Sequence, residues 1–207
     1  MKPSANSPGM LIALEGIDGA GKSTQASKLA EWLRGSGRGT LVLHEPTRGP
    51  HGMRLRALME AGRDGVTPHQ EFTLFLDDRA QNVRENIRPA LARGEIVLMD
   101  RYYISSMGYQ GARGLDPAEI RKANEAFAPV PDLIIMFDLP VAVALDRIRK
   151  RHGDGPNLFE KEEHLLRAQA IFDGLSGFPR VHRIDATRDE TSMLNELKAL
   201  LSTLLSG

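Results

Sequence analysis

Between the apolar run Met10 to Leu14 and a segment of helical periodicity stands Gly16-Ile17-Asp18-Gly19-Ala20-Gly21-Lys22-Ser23, the stretch that most restricts what this chain can fold into. It follows the pattern G-x-x-x-x-G-K-[ST], and a strand before it with a helix after it is the context a phosphate loop requires. Glycine lets the backbone curl until several N–H groups converge on one phosphate, and the helix beginning near Lys22 adds the positive end of its dipole. In such a loop Gly16, Ile17, Asp18, Gly19, Ala20, Gly21, Lys22, Ser23 and Thr24 bind ATP, Lys22 reaches the β- and γ-phosphates, and the Ser23 hydroxyl coordinates Mg²⁺. Asp18 has two open readings: it faces the sugar hydroxyls of an acceptor, or it is a turn-favouring aspartate.

Five short runs rich in Leu, Ile or Val read as strands: Met10 to Glu15, Thr40 to His44, Glu95 to Asp100, Asp132 to Asp138 and Val181 to Asp185. They do not alternate with polar residues, as expected of parallel strands buried on both faces. Amphipathic segments separate them. Ala26, Leu29, Ala30 and Leu33 give the first helix, and a longer pattern runs from Pro68 to Leu91 through Phe72, Leu76, Ala80, Val83 and Ile87 until Pro89 bends or ends it. Asp116-Pro117-Ala118-Glu119 is an N-terminal capping sequence, and Leu194, Leu197, Leu201 and Leu204 mark a last helix. The fold class is therefore α/β, a five-stranded mostly parallel sheet with helices on both faces.

The 207 residues, 41% of them hydrophobic, suit one domain over 10–207, preceded by a loose leader at 1–9. Lys plus Arg total 27 and so do Asp plus Glu, leaving no net field to attract nucleic acid or an anionic membrane. The chain has no cysteine, which excludes disulfides and thiolate chemistry and points to the cytoplasm. Its most apolar runs fall far short of the roughly 18 residues a membrane span needs.

Asp100-Arg101 closes the third strand, at the carboxyl edge where open α/β sheets bind ligands. Asp100 is placed to support Mg²⁺ and Arg101 to clamp an acceptor phosphate; the competing reading is a surface ion pair. An acceptor that is already a phosphate needs no general base, only cations to hold it against an anionic donor.

The run Asp100-Arg101-Tyr102-Tyr103-Ile104-Ser105-Ser106-Met107-Gly108-Tyr109-Gln110-Gly111 resembles the signature of bacterial thymidylate kinases. The resemblance extends to His44-Glu45-Pro46, to Thr73 through Gln81, and to Phe127-Ala128-Pro129 leading into Pro131-Asp132-Leu133. It implies a three-layer P-loop nucleoside monophosphate kinase fold, ATP and thymidylate as substrates, Mg²⁺ as cofactor and a homodimer. It also implies an acceptor site in which Phe75 stacks on thymine, Arg79 bonds its carbonyl edge, Tyr109 lies against the deoxyribose, and Asp18, Glu45, Arg101 and Gln110 complete the contacts. Phe75 and Arg79, four residues apart, share a helix face. Without the resemblance, Phe75 reads as core beside Phe72 and Leu76. The family commonly carries Arg-Glu-Pro-Gly-Gly-Thr where this chain has His44-Glu45-Pro46-Thr47-Arg48-Gly49, so Arg48 and Arg56 are candidates to replace the arginine. Asp77, Asp78 and Met107 also depart from the family's usual residues.

After the fourth strand, Arg147-Ile148-Arg149-Lys150-Arg151-His152-Gly153-Asp154-Gly155-Pro156 is a cationic helix end followed by glycine and proline. On composition it is a solvated helix terminus. The resemblance makes 147–160 a lid that supplies a catalytic arginine, Arg149 or Arg151, with Lys150 as the competing cation. Asp185-Ala186-Thr187-Arg188 resembles the family's adenine-side loop and reads equally as a turn. The catalytic set is thus Lys22, Arg101, Arg149 and Arg151, with Ser23 and Asp100 for the metal. A kinase for another nucleoside monophosphate or a deoxynucleoside, using Glu45 or Asp18 as base, stays open, as does a nucleotide-binding switch.

Overall fold

The computed structural model describes residues 9–62, 65–152 and 158–206. Five strands, β1 (Met10–Glu15), β2 (Thr40–His44), β3 (Ile96–Asp100), β4 (Leu133–Asp138) and β5 (Val181–Asp185), form one sheet in the order β2-β3-β1-β4-β5. Every pairing is parallel. β1, β3 and β4 are buried along almost their whole length, which is why their sequences are apolar without alternation. Each fully buried Leu, Ile or Val among them contributes about 1.5–3 kcal/mol relative to exposure.

Crossovers between parallel strands are right-handed, so the direction of each step fixes the face on which its helices lie. The step from β1 to β2 runs opposite to the others. Accordingly α1 (Lys22–Gly35) packs with the terminal α9 (Glu190–Ser206), apart from the remaining helices. Those are α2 (Pro50–Glu60), α3 (Pro68–Asn82), α4 (Arg88–Ala92), α5 (Tyr103–Gly111), α6 (Pro117–Glu125), α7 (Val141–His152) and α8 (Leu158–Asp173), joined by contacts of α2 with α3, of α5 with α3, α6 and α8, and of α7 with α8. Among the described residues, no helix is long and apolar enough to cross a membrane.

The strands agree with the sequence reading to within one residue. Asp116 caps α6 as its position predicts, accepting the Ala118 N–H at 2.8 Å. The long helix differs in detail. It passes Pro89 by way of a π-helical segment, Val83–Ile87, between α3 and α4. Pro89 has no N–H for the Glu85 carbonyl and its ring crowds that carbonyl; widening the preceding turn lets the helix continue.

Candidate active site

The phosphate loop joins β1 to α1 at the carboxyl edge of the sheet, between β3 and β4. Gly21 has φ 91° at the helix N-cap, a conformation disfavoured for residues with a Cβ. Gly19, at φ 85°, packs so closely on α7 that a Cβ there would lie 2.9 Å from the Ala144 carbonyl oxygen. Lys22 Nζ donates to the loop's own carbonyls, Gly16 at 2.9 Å and Ile17 at 2.7 Å. Burial and the neighbouring Arg101 push the Lys22 ammonium down to about 7, against the pull of Asp18, Asp100 and Glu15. The loop concentrates positive charge at the cost of desolvating it, an arrangement suited to a polyanionic ligand.

A cavity of about 330 Å³ opens above the loop, walled by Asp18, Lys22 and Ser23 on one side and by His44, Asp100 and Arg101 on the other. Ser23 Oγ donates to Asp100 Oδ2, which also meets His44 Nδ1 at 2.9 Å. Burial works to raise the Asp100 carboxyl, but the hydrogen bonds from His44 and Ser23 prevail and hold it below its usual value. Asp100 Oδ1 is buried without a hydrogen-bond partner. A buried carboxylate oxygen left open beside a serine hydroxyl fits Mg²⁺, which takes one or two protein oxygens and completes its shell with water and phosphate.

Arg101 is the one non-glycine residue with positive φ, 71°, among the described residues. That left-handed backbone costs about 1–3 kcal/mol and needs a surrounding that enforces it. The guanidinium pairs with Asp18 and lies 5.2 Å from the Tyr109 ring centre, while Tyr109 Oη accepts the Asp18 N–H at 2.9 Å. Asp18, Arg101 and Tyr109 thus form one cluster across the cavity. Gln110 is 3% exposed, its Oε1 is buried with no hydrogen-bond partner, and the residue lines neither this cavity nor the neighbouring one beside β2.

Arg79 and Glu45 lie inside the wall of the site. Arg79 is 1% exposed and donates to Glu45 Oε2 at 2.8 Å, Asn124 Oδ1 at 2.6 Å and Ser106 Oγ at 3.1 Å, with its guanidinium 5.5 Å from the Tyr102 ring. Glu45 also accepts from Asn82 at 3.2 Å, and burial raises its carboxyl against the lowering effect of Arg79. Phe75 is half-buried one turn earlier on α3. Neither Phe75 nor Arg79 lines the phosphate cavity, and Arg79 meets Ser106 and Asn124 instead.

His44 belongs to both the phosphate cavity and a neighbouring one of about 630 Å³ beside β2. Arg48 and Arg56 line that second cavity. Arg56 donates to the Pro46 and Thr47 carbonyls, and Asp78, 1% exposed, takes the Thr47 N–H at 2.8 Å and its hydroxyl at 2.5 Å. Asp78 and Arg56 thereby hold the loop after β2 from two sides; Asp77 is exposed.

On α7 the spacing separates the lid cations. Arg147 donates to the Gly19 carbonyl at 3.3 Å, and Ile148 and Arg151 border the phosphate cavity, one helical face repeating at three and four residues. Arg149 and Arg151 are both exposed, but Arg149 does not line that cavity, and Lys150 pairs with Asp146 at 2.7 Å. Of the two arginines expected to act, Arg151 is brought to the loop and Arg149 is not. Residues 153–157 of the expected lid, and 1–8 of the expected leader, lie outside the described residues.

Glu15, at the end of β1, is a buried acid behind the site that sequence patterns alone do not single out. It is 0% exposed, and burial raises its carboxyl to about 7 against hydrogen bonds from Ser105 and Tyr102 and the charges of Arg101 and Lys22. The folded chain holds this proton more tightly than the unfolded chain, whose carboxyl titrates near 4.5, so the stabilising contribution is complete below about 4.5 and is lost as pH rises through about 7. The urea midpoint of the wild type is expected to fall relative to that of Glu15→Gln across this window, and parallel curves would contradict the assignment.

A phosphate loop at the switch of a 2-3-1-4-5 parallel sheet, opposed by an aspartate and an arginine at the end of β3, defines a P-loop phosphotransferase. Within that class, a model of the Thymidylate kinase family matches residues 14–197. Thymidylate kinase of Xanthomonas campestris pv. campestris is 46% identical over 198 residues, 96% of this chain and 85% of the relative. That of Desulfotalea psychrophila is 43% identical over 201 residues, 97% of this chain and 98% of the relative. That of Xanthomonas oryzae pv. oryzae is 44% identical over 198 residues, again 96% of this chain. The chain belongs to the thymidylate kinase family.

Proposed function

We propose that this protein is a cytoplasmic, homodimeric enzyme that transfers the γ-phosphoryl group of ATP to thymidylate, giving dTDP and ADP. The observation that carries the reading is the single cavity bounded by Lys22 of the phosphate loop and by Arg101 of the β3 edge. Two anions of like charge brought together need cations on both sides, and alignment with charge neutralisation is most of what phosphoryl transfer asks of a protein.

In this reading residues 16–24 hold the ATP phosphates and Lys22 follows the charge as it moves onto the transferring oxygens. Arg101 grips the acceptor phosphate, and Asp18 and Tyr109 hold Arg101 beside the acceptor's sugar. Phe75 stacks on the base, Gln110 offers its open Oε1, and Arg79 and Glu45 brace the wall that presents Ser106. Ser23 and Asp100 would hold Mg²⁺, which would supply positive charge against the phosphate oxygens. Residues 147–160 act as the lid, with Arg151 over the phosphates.

A nucleoside acceptor would need a carboxylate to take its hydroxyl proton. Glu45 is tied to Arg79 and Asp18 to Arg101, so neither is free for that work, and a phosphate acceptor is favoured. The test is to offer dTMP, thymidine, dUMP, UMP, CMP, AMP and GMP separately with Mg²⁺-ATP and to follow ADP. Turnover is expected to be greatest with dTMP and absent with thymidine; turnover of thymidine but not dTMP would overturn the proposal. Arg151→Ala is expected to lower kcat by at least about 10²-fold, with a smaller effect from Arg149→Ala. Equal losses would remove the distinction between the two faces of α7.

A further inference from the structure

The carboxylate of Glu15 does not border the phosphate cavity, yet the backbone hydrogen bonds on either side of Arg101 converge on it and on its neighbour in β1. Tyr102 N–H donates to Glu15 Oε1 at 2.7 Å, and the Ser105 hydroxyl donates to Oε2. The Arg101 N–H donates to the Leu14 carbonyl at 3.1 Å, and Arg101 Nη1 lies 3.4 Å from Ser105 Oγ. The peptide groups on both sides of a residue at φ 71° are therefore anchored to the end of β1. An arginine released from those anchors relaxes toward the extended or right-handed region, where its Cβ leaves the backbone in another direction. Its guanidinium then leaves the seat between Asp18 and the Tyr109 ring.

A fully buried acid is a costly way to fill space, and an apolar side chain in the same place would bury more cheaply. What the acid provides is a pair of acceptor oxygens for two donors of one turn, at the N-terminus of α5, where the helix dipole also favours negative charge. The chemistry of phosphoryl transfer to a phosphate has no proton for Glu15 to move.

We infer that Glu15 is a positioning residue, which locks the left-handed turn at Arg101 through Tyr102 and Ser105 and thereby sets where the acceptor phosphate is held. The inference rests on the reading of Arg101 as the acceptor clamp.

Glu15→Gln keeps a carbonyl for the Tyr102 N–H and puts an amide N–H donor where Oε2 accepts from the Ser105 hydroxyl. Its melting temperature is expected not to fall. Its kcat/KM for dTMP is expected to drop by about 10- to 100-fold, as sub-ångström to ångström misplacement of a clamp does, with the KM for ATP unchanged. Because Glu15 acts through Arg101, the Glu15→Gln and Arg101→Lys losses are expected to combine to less than their product. Wild-type dTMP kinetics in Glu15→Gln, or losses that multiply with those of Arg101→Lys, would overturn the inference. Should Glu15→Gln fail to fold, Ser105→Ala decides: it removes one donor, and a rise in KM for dTMP without one for ATP is expected, whereas an unchanged KM for dTMP overturns it. If the wild type does not phosphorylate dTMP, or Arg101→Lys leaves its dTMP kinetics intact, the acceptor reading itself fails. If Arg101→Lys impairs dTMP turnover and Glu15→Gln does not, the inference about Glu15 fails alone.

Discussion

Lys22→Ala is expected to lower kcat by at least about 10²- to 10³-fold while the circular dichroism spectrum and the melting temperature stay close to those of the wild type. The side chain starts a helix, where alanine is well tolerated, and its ammonium is bonded to loop carbonyls, those of Gly16 and Ile17. The role proposed for that buried cation is to meet phosphate charge, so the loss should fall on the chemical step rather than on the fold. Steady-state assays at saturating ATP and dTMP measure it. A variant with wild-type kcat would contradict the role of the loop.

Arg101→Ala should have an effect of similar size in a different parameter. Its kcat/KM for dTMP is expected to fall about 10²- to 10³-fold with little change in the KM for ATP, because the role proposed for this cavity-lining guanidinium is to hold the acceptor phosphate. Arg101→Lys is expected to recover only part of the loss. An ammonium keeps the charge but not the planar fork that pairs with Asp18 and lies beside the Tyr109 ring. A loss that fell equally on ATP and dTMP would indicate general disruption of the loop.

What the sequence discloses and what it conceals divide along a physical line. The phosphate loop, the five strands and the Asp116 cap are written in adjacent residues, and each is legible because local geometry demands particular side chains at fixed offsets. The α7 face is almost as legible: Arg147, Ile148 and Arg151 follow helical spacing, and Arg149 falls on the other side of the wheel. Arg79 is different. Its neighbours Glu45, Ser106 and Asn124 come from three separate segments, so no local pattern shows that a cationic side chain on α3 is fully buried. The pairing of His44 with Asp100 depends on the registry of β2 against β3, where those two residues lie side by side. The anchoring of Arg101 on β1 is likewise a tertiary fact. Glu15 shows the difficulty most plainly, since an acid ending an apolar strand reads as a boundary residue until the β3 edge is placed beside it.

The central claim is that one cavity holds two anionic ligands at once, phosphate end to phosphate end, between Lys22 and Arg101. It is tested most directly by equilibrium titration with a compound in which adenosine and thymidine are joined through their 5′ positions by five phosphates. Such a molecule is expected to bind more tightly than ATP or dTMP alone by orders of magnitude, and to be weakened by both Lys22→Ala and Arg101→Ala. Affinity no greater than that of ATP, or affinity indifferent to Arg101, would contradict the account.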